Sequence, residues 1–370
     1  MKRKGTVFVG LSGGVDSAVS AALLKRAGYE VVGVFMRTWH PEFLECNEEE
    51  ERRDAIRVAA ALDIPFLTFD FEKVYKREVA DYMIREYRAG RTPNPDVMCN
   101  KEVKFGAFLK EALRRGADYI ATGHYANLTP SPSPFKKMER GGIAKQGEVR
   151  LLKGTDPAKD QSYFLWTLTQ KQLAKVMFPV GHLPKGEVRK LAKKFNLPVA
   201  EKKDSQGICF LGEVDLKKFL KYYIREKKGK VINEKGETIG RHDGVFFHTL
   251  GARHGFTITK KTPRDKPYYV VGKDAKKNIL IVSEKNGPAR PAGGDISLFQ
   301  SVYKMKSANW IADKPNPNKK YSAQIRYHGE KLPCQVSGDR VTFQKPLLAA
   351  PGQSLVIYDG EVCLGGGVII

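Results

Sequence analysis

The sequence predicts an α/β fold: a doubly wound, mostly parallel sheet, followed by a small central domain and a C-terminal β-barrel. Three observations carry that expectation. Short apolar runs alternate with helical segments from Thr6 to about Thr122, the pattern of a parallel sheet with crossover helices. A glycine turn, Gly10-Leu11-Ser12-Gly13-Gly14-Val15-Asp16-Ser17, separates the first strand from the first helix. From Gly229 onward the chain turns to short alternating strands broken by Gly and Pro, as small barrels and sandwiches require. The domains are read as 1–208, 209–274 and 275–370.

The first strand is Thr6-Val7-Phe8-Val9, and the alanine-rich helix after it, Ala18 to Ala27, stops at Gly28. Gly13 and Gly14 permit a sharp turn and let a ligand approach the backbone amides. Ser12, Ser17 and the unpaired N–H groups of the new helix supply donors, and the helix dipole favours an anion. The turn has no Gly-Lys-Ser/Thr and no Gly-x-Gly-x-x-Gly, so neither a Walker loop nor a dinucleotide fingerprint is present. A plain glycine turn between two elements is the competing explanation.

Glu30–Met36 reads as a second strand, a helix follows to about Leu62, Ile64–Asp70 as a third strand, and Val74–Tyr87 as another helix. Arg91-Thr92-Pro93-Asn94-Pro95-Asp96 is held extended by its two prolines. A helix is expected from about Val103 to Arg115, closed by Gly116. Cys99 then falls near a helix N-terminus, where the dipole favours the thiolate, with Asp96 in the same turn. An Asp N-cap and a packed thiol explain these residues equally well. Ala117–Thr122 is the next strand and delivers Gly123-His124-Tyr125 to its carboxyl end, where ligands bind in this topology. Residues 129–148, rich in Pro, Ser, Gly and Lys, read as a surface insertion. A basic amphipathic helix over Lys185–Asn196 suits a solvated face, and a short helix runs from Val214 to Ile224. Cys209 lies in Gly207-Ile208-Cys209-Phe210, where a core thiol is the simplest reading. Gln324-Ile325-Arg326-Tyr327 pairs a cation with an aromatic, which suits a phosphate and a base and equally suits plain surface.

The 370 residues carry a net charge of +23. The first 100 hold 15 basic and 16 acidic residues, so the excess lies wholly in the remainder. Confined in this way, it suits docking of a polyanion, nucleic acid foremost. No apolar stretch approaches the roughly 18 residues of a membrane span. The N-terminus lacks a cleavage pattern, so a cytoplasmic protein is expected. The five cysteines, Cys46, Cys99, Cys209, Cys334 and Cys363, form no C-x-x-C pair and no zinc spacing; neither a disulfide framework nor a metal site is expected.

Ser12-Gly13-Gly14-Val15-Asp16-Ser17 after a strand resembles the pyrophosphate loop of the N-type ATP pyrophosphatases. Together with Asn94-Pro95-Asp96, Cys99-Asn100-Lys101, Thr122–Tyr125, Lys159-Asp160-Gln161, Gly207–Phe210 and Pro351–Ser354, it is similar to the bacterial tRNA-specific 2-thiouridylases over nearly the whole chain. That resemblance implies an ATP-dependent sulfur transfer to C2 of the wobble uridine of tRNAs for Lys, Glu and Gln, through an adenylated base. It implies Cys209 as persulfide carrier, Cys99 as the nucleophile that forms a transient disulfide, and Asp96 as general acid or base. ATP with Mg²⁺ is expected on Gly10 to Ser17, with Met36 and Gly123 beside the adenine. Asn94, Pro95, Asp96, His124, Lys159, Asp160, Gln161, Arg326, Tyr327 and Gln353 are the expected tRNA contacts. A cysteine desulfurase or sulfur-relay protein is the expected donor. An amide-forming ATP pyrophosphatase would keep the turn but need neither thiol, and an RNA-binding protein would consume no ATP.

Overall fold

The computed structural model describes residues 4–44, 47–129, 148–204, 207, 209–210, 215–259, 266–284 and 299–370. Cys46, most of the 129–148 insertion, Ser205, Gln206, Ile208 and the basic link at 260–264 lie outside the described residues.

The first unit is the expected doubly wound sheet. Strand β1 (Thr6–Gly10) leads through the glycine turn into α1 (Val15–Arg26), and β2 (Glu30–Arg37), α2 (Glu48–Ala61) and β3 (Phe66–Asp70) follow. Helix α3 covers residues 72–88, with a π-wound middle at Lys76–Ala80, and α4 covers 95–114, π-wound over Cys99–Phe108. Strand β4 (Tyr119–Ala121) returns to the sheet, β5 (Ala126–Thr129) and β6 (Arg150–Lys153) form a hairpin, and α5 (Gln170–Leu173), β7 (Val176–Met177) and α6 (Lys185–Lys194) complete the unit. The order β3-β2-β1-β4-β7 is parallel throughout. Val7, Val9 and Val34 are wholly buried, as strands covered by helices on both faces must be. The chain reverses direction across the sheet between β1 and β4, so the crevice at their carboxyl ends is the ligand position of this topology.

Helix α4 begins at Pro95, eight residues before the expected Val103. Proline lacks the N–H that a first helical position cannot use, so Pro95 fits there without loss. Asn94, not Asp96, caps the helix, its Oδ1 accepting from the Val97 amide at 3.2 Å. The two prolines thus bracket a cap rather than hold an extended approach.

A short helix, α7 (Leu216–Tyr223), capped by Asp215, leads into a five-stranded sheet. Its strands are β8 (Gly229–Ile232), β9 (Thr238–His242), β10 (Phe256–Ile258), β11 (Tyr269–Asp274) and β12 (Ile279–Ser283), in the order β10-β9-β8-β12-β11. Because β12 pairs with both β8 and β11, the central sheet runs to Ser283, past the expected break at 275. The described part of the last unit starts with β13 (Gln300–Trp310) and continues through β14 (Tyr321–Gln324), β15 (Leu332–Ser337), β16 (Arg340–Leu347), β17 (Ser354–Asp359) and β18 (Val362–Ile369). Pairing of β13 with β18, Met305 opposite Ile369, closes these six antiparallel strands into a barrel, which removes the exposed edges of an open sheet. Cys334 and Cys363 are buried in its strands, and burial pushes both thiols up to about 12. The β5–β6 hairpin extends the barrel sheet through β6 and β18. No helix among the described residues is long and apolar enough to cross a membrane.

Candidate active site

The glycine turn sits at the carboxyl end of β1, and its shape is dictated by close contacts. Gly13 has φ +70° and lies so near α2 that a Cβ would come within 2.4 Å of the Glu51 carbonyl oxygen. Ser17 Oγ accepts from the Ser12 amide at 3.3 Å and donates to the Gly14 carbonyl at 3.1 Å. No side chain caps α1, whose N-cap is Gly14, so its first amides are open to an anion. Gly123, at the end of β4, packs on this helix start: a Cβ there would lie 2.8 Å from the Ser17 nitrogen. Met36, on β2, places its methyl group against Gly10 from the other side.

Asp16 is the carboxylate of the turn. It accepts from the Tyr125 hydroxyl at 2.7 Å and from Lys185 Nζ at 2.6 Å. Lys185 also reaches Asp204, as do Lys159 at 2.8 Å and Arg189 at 2.5 Å. Partial burial opposes ionisation of Asp204, but hydrogen bonds from Lys159 and Lys185 win and hold its carboxyl well below the usual range. The basic face of α6, expected to be solvated, therefore supplies Lys185 and Arg189 to this cluster.

The two thiols meet. Cys99, on α4, donates to Cys209 with the sulfurs 3.5 Å apart, outside bonding distance yet in contact. The segment carrying Cys209 is tied down on every side. Its amide donates to Asp96 Oδ1 at 2.9 Å, its carbonyl accepts from the Tyr75 hydroxyl at 2.7 Å, and the Phe210 carbonyl lies 2.6 Å from His40 Nε2. Phe210 holds a left-handed φ of +65°, a conformation that costs about 1 kcal/mol or more outside glycine and that these tethers maintain. Its ring stands edge-on to Tyr75 at 6.1 Å and faces Lys104 Nζ at 5.5 Å.

The electrostatics differ from the dipole argument. Cys99 lies in the second turn of α4 rather than at its start, and it is wholly buried. Burial first, then the hydrogen bond to Cys209, push its thiol well above the ordinary range. Cys209 moves the other way: the hydrogen bond from Cys99 lowers it, burial opposes, and Lys104 adds to the lowering. The acceptor sulfur is the one disposed to be a thiolate, and Cys99 is its S–H donor. Burial raises the Asp96 carboxyl against the lowering pull of the Cys209 amide, a setting suited to proton transfer nearer neutral pH.

Asp160 Oδ1 accepts from the Gly154 and Ser162 amides, Gln161 accepts from the Tyr125 amide, and Lys159 pairs with Asp204. Asp160 also receives Lys331 at 3.2 Å. With Tyr327, these two line a cavity of about 250 Å³ between the first unit and the barrel, and the Tyr327 ring leans on Phe164 with centroids 4.4 Å apart. Gln353 donates to the Thr92 and Pro93 carbonyls at 2.9 and 3.2 Å, beside the Asn94 cap. His124 is buried against Phe105 and Phe178, its Nδ1 2.7 Å from the Thr122 hydroxyl; burial, then the charge of Lys104, keep the ring neutral. Sequence reasoning missed Tyr75, His40, Lys104 and Lys185. Tyr75 and His40 carry no local signal, because each meets residues 209–210 only through the fold.

Family models match the whole architecture: a tRNA methyl transferase HUP domain over residues 5–213, a tRNA methyl transferase PRC-barrel domain over 217–284 and an aminomethyltransferase beta-barrel domain over 301–369. The tRNA-specific 2-thiouridylase MnmA 2 of Geobacillus kaustophilus is 45% identical over 98% of this chain and 94% of its own. The chain belongs to the tRNA-specific 2-thiouridylase family. The thiouridylases of Streptococcus thermophilus and Alkaliphilus oremlandii are 44% and 45% identical over 99% and 98% of this chain, and over 95% and 96% of theirs. In this family member the PRC-barrel match ends at residue 284, one residue beyond β12 and consistent with the central sheet reaching Ser283.

Proposed function

We propose that this protein is a tRNA-uridine 2-sulfurtransferase that consumes ATP and carries sulfur on Cys209. The observation that supports it most is the contact between two sulfurs 110 residues apart, one of them hydrogen-bonded through its own amide to Asp96. An amide-forming synthetase would need neither thiol.

The C2 oxygen of uracil is a poor leaving group, so ATP transfers AMP to it and pyrophosphate departs onto the amides of the 10–17 turn. Met36 and Gly123 flank the adenine. Mg²⁺ would be held by the phosphates together with Asp16, the carboxylate the turn offers, and would offset their charge; among the described residues no cluster of three or more His, Cys, Asp or Glu could hold a metal alone. Cys209 accepts a sulfur atom from a donor persulfide, the donor thiolate leaving. The terminal sulfur then attacks C2 and AMP leaves. Cys99, as thiolate after losing its proton to a base such as Asp96, attacks Cys209 Sγ. The S–S bond to the base breaks, 2-thiouridine is released, and a Cys99–Cys209 disulfide remains for a cellular thiol to reduce. The wobble uridine of tRNAs for Lys, Glu and Gln is the substrate, and it leaves the anticodon stack to react. Asn94, Pro95, Asp96, His124, Lys159, Asp160, Gln161, Arg326, Tyr327 and Gln353 frame the RNA side. The donor is a cysteine desulfurase or a relay protein, and the reaction is cytoplasmic.

The test is mass spectrometry of tRNA nucleosides after incubation with ATP, Mg²⁺ and a persulfide donor. The intact chain is expected to make 2-thiouridine; Cys209→Ser and Cys99→Ser are expected to make none while still releasing pyrophosphate with tRNA. Unimpaired thiolation by Cys209→Ser overturns the sulfur route, and ATP consumption that ignores tRNA overturns the substrate.

A further inference from the structure

We propose that Lys104 is the cation of the sulfur site, the charge that holds the Cys209 sulfur as an anion ready to accept sulfur. The inference rests on the sulfur-transfer reading but reaches a residue that reading does not use.

The first support is helix geometry. Cys99 and Lys104 are five residues apart, which on a 3.6-residue helix places them about 140° around the axis from each other. Residues Cys99–Phe108 are π-wound, and the extra residue that i→i+5 hydrogen bonding admits to each turn narrows that angle. The widened turn thus points both the thiol and the ammonium at residues 209–210. Such winding is rare and recurs at functional sites. The second support is position. Lys104 Nζ lies 5.5 Å from the centroid of the Phe210 ring, the residue next to Cys209, and its charge lowers the Cys209 thiol. The ring, locked at positive φ and wedged against Tyr75, fixes where the ammonium sits.

The groups around Cys209 are Asp96, Cys99 and Lys104 from α4, Tyr75 from α3, His40 after β2 on the neighbouring carbonyl, and His124 after β4 beside Lys104. His124 is kept neutral and Tyr75 is a protonated phenol, pushed well above its ordinary range by burial. Asp96 opposes an anion on Cys209. Lys104 is the ammonium among these neighbours, and it remains charged: burial alone lowers it, but the two sulfurs more than offset that.

Alkylation of Cys209 against pH, read by peptide mass spectrometry on the full chain, tests this without tRNA, ATP or a sulfur donor. The intact chain is expected to show a midpoint below the ordinary thiol value of about 8.5. Lys104→Met is expected to raise it by about one unit, slowing alkylation near neutral pH about tenfold, and Lys104→Arg, which keeps the charge, to restore most of the rate. An unchanged midpoint in Lys104→Met overturns the proposal. Circular dichroism checks folding; if Lys104→Met does not fold, the intact chain decides, because a midpoint at or above about 8.5 overturns the proposal unaided. Failure of thiolation in the intact chain with the alkylation shift present would refute the sulfur-transfer reading and leave Lys104's effect on the thiol standing.

Discussion

At the scale of single residues, function depends on positions with no room for change. Gly13 combines a left-handed φ with a carbonyl oxygen 2.4 Å from any added Cβ. Gly13→Ala is expected to cost about 1–3 kcal/mol locally and to cut tRNA-dependent pyrophosphate release at least about tenfold, since about 1.4 kcal/mol suffices for that. A variant with unchanged release and melting would remove the turn from the ATP site. Asp204 answers to pH. Its carboxyl is held low against an ordinary value of about 3.9, so its stabilising effect is fully present above that value and fades as pH falls through the lower folded value. Asp204→Asn is expected to be less stable near neutrality by about 1 kcal/mol, modest because the cluster is partly solvated and screened. Urea melts should show the gap closing on acidification; a gap that widens in acid would contradict the charge assignment.

At the scale of elements, the Asn94–Cys99 corner is braced by the barrel. Gln353 donates two hydrogen bonds to the Thr92 and Pro93 carbonyls, and the Thr92 amide donates to Pro351 O at 2.8 Å. The brace fixes the start of α4, hence Asp96 and Cys99. Gln353→Ala is expected to lose about 1 kcal/mol of stability and to slow thiolation several-fold, while pyrophosphate release changes little. Equal loss in both assays would leave Gln353 an RNA contact with no separate part in positioning the α4 start. Much of this scale was legible in the sequence: the strand and helix alternation and the β-rich second half follow from apolar periodicity and turn residues, whereas closure of the barrel rather than a sandwich rests on the pairing of β13 with β18. The start of α4 was not, because two prolines flanking an asparagine read as extended chain until Pro95 is recognised as a first helical residue. Nor was the π-winding, which has no periodicity signal and which brings Lys104 closer to the face of Cys99.

At the scale of the whole molecule, the +23 charge makes a definite prediction. If tRNA is bound through phosphates, log K should fall linearly with log salt, with a slope of about −0.7 to −0.9 per phosphate neutralised. Filter binding from about 50 to 200 mM salt should therefore weaken affinity by orders of magnitude if six or more phosphates are engaged. Affinity indifferent to salt would detach the basic excess from RNA.

The sequence by itself determined the glycine turn, the parallel sheet that presents it, the β-rich second half and the charge asymmetry, because each arises from local propensity, periodicity or composition. Only the tertiary structure decided that Cys99 and Cys209 touch, that Tyr75, His40 and Asp96 hold the backbone of residues 209–210 while Lys104 faces the Phe210 ring, and that Lys185 reaches Asp16. Those contacts join residues that the chain path separates, and burial together with hydrogen bonding across that path reversed the thiol expected to ionise. A dipole argument could reach only the helix terminus it started from.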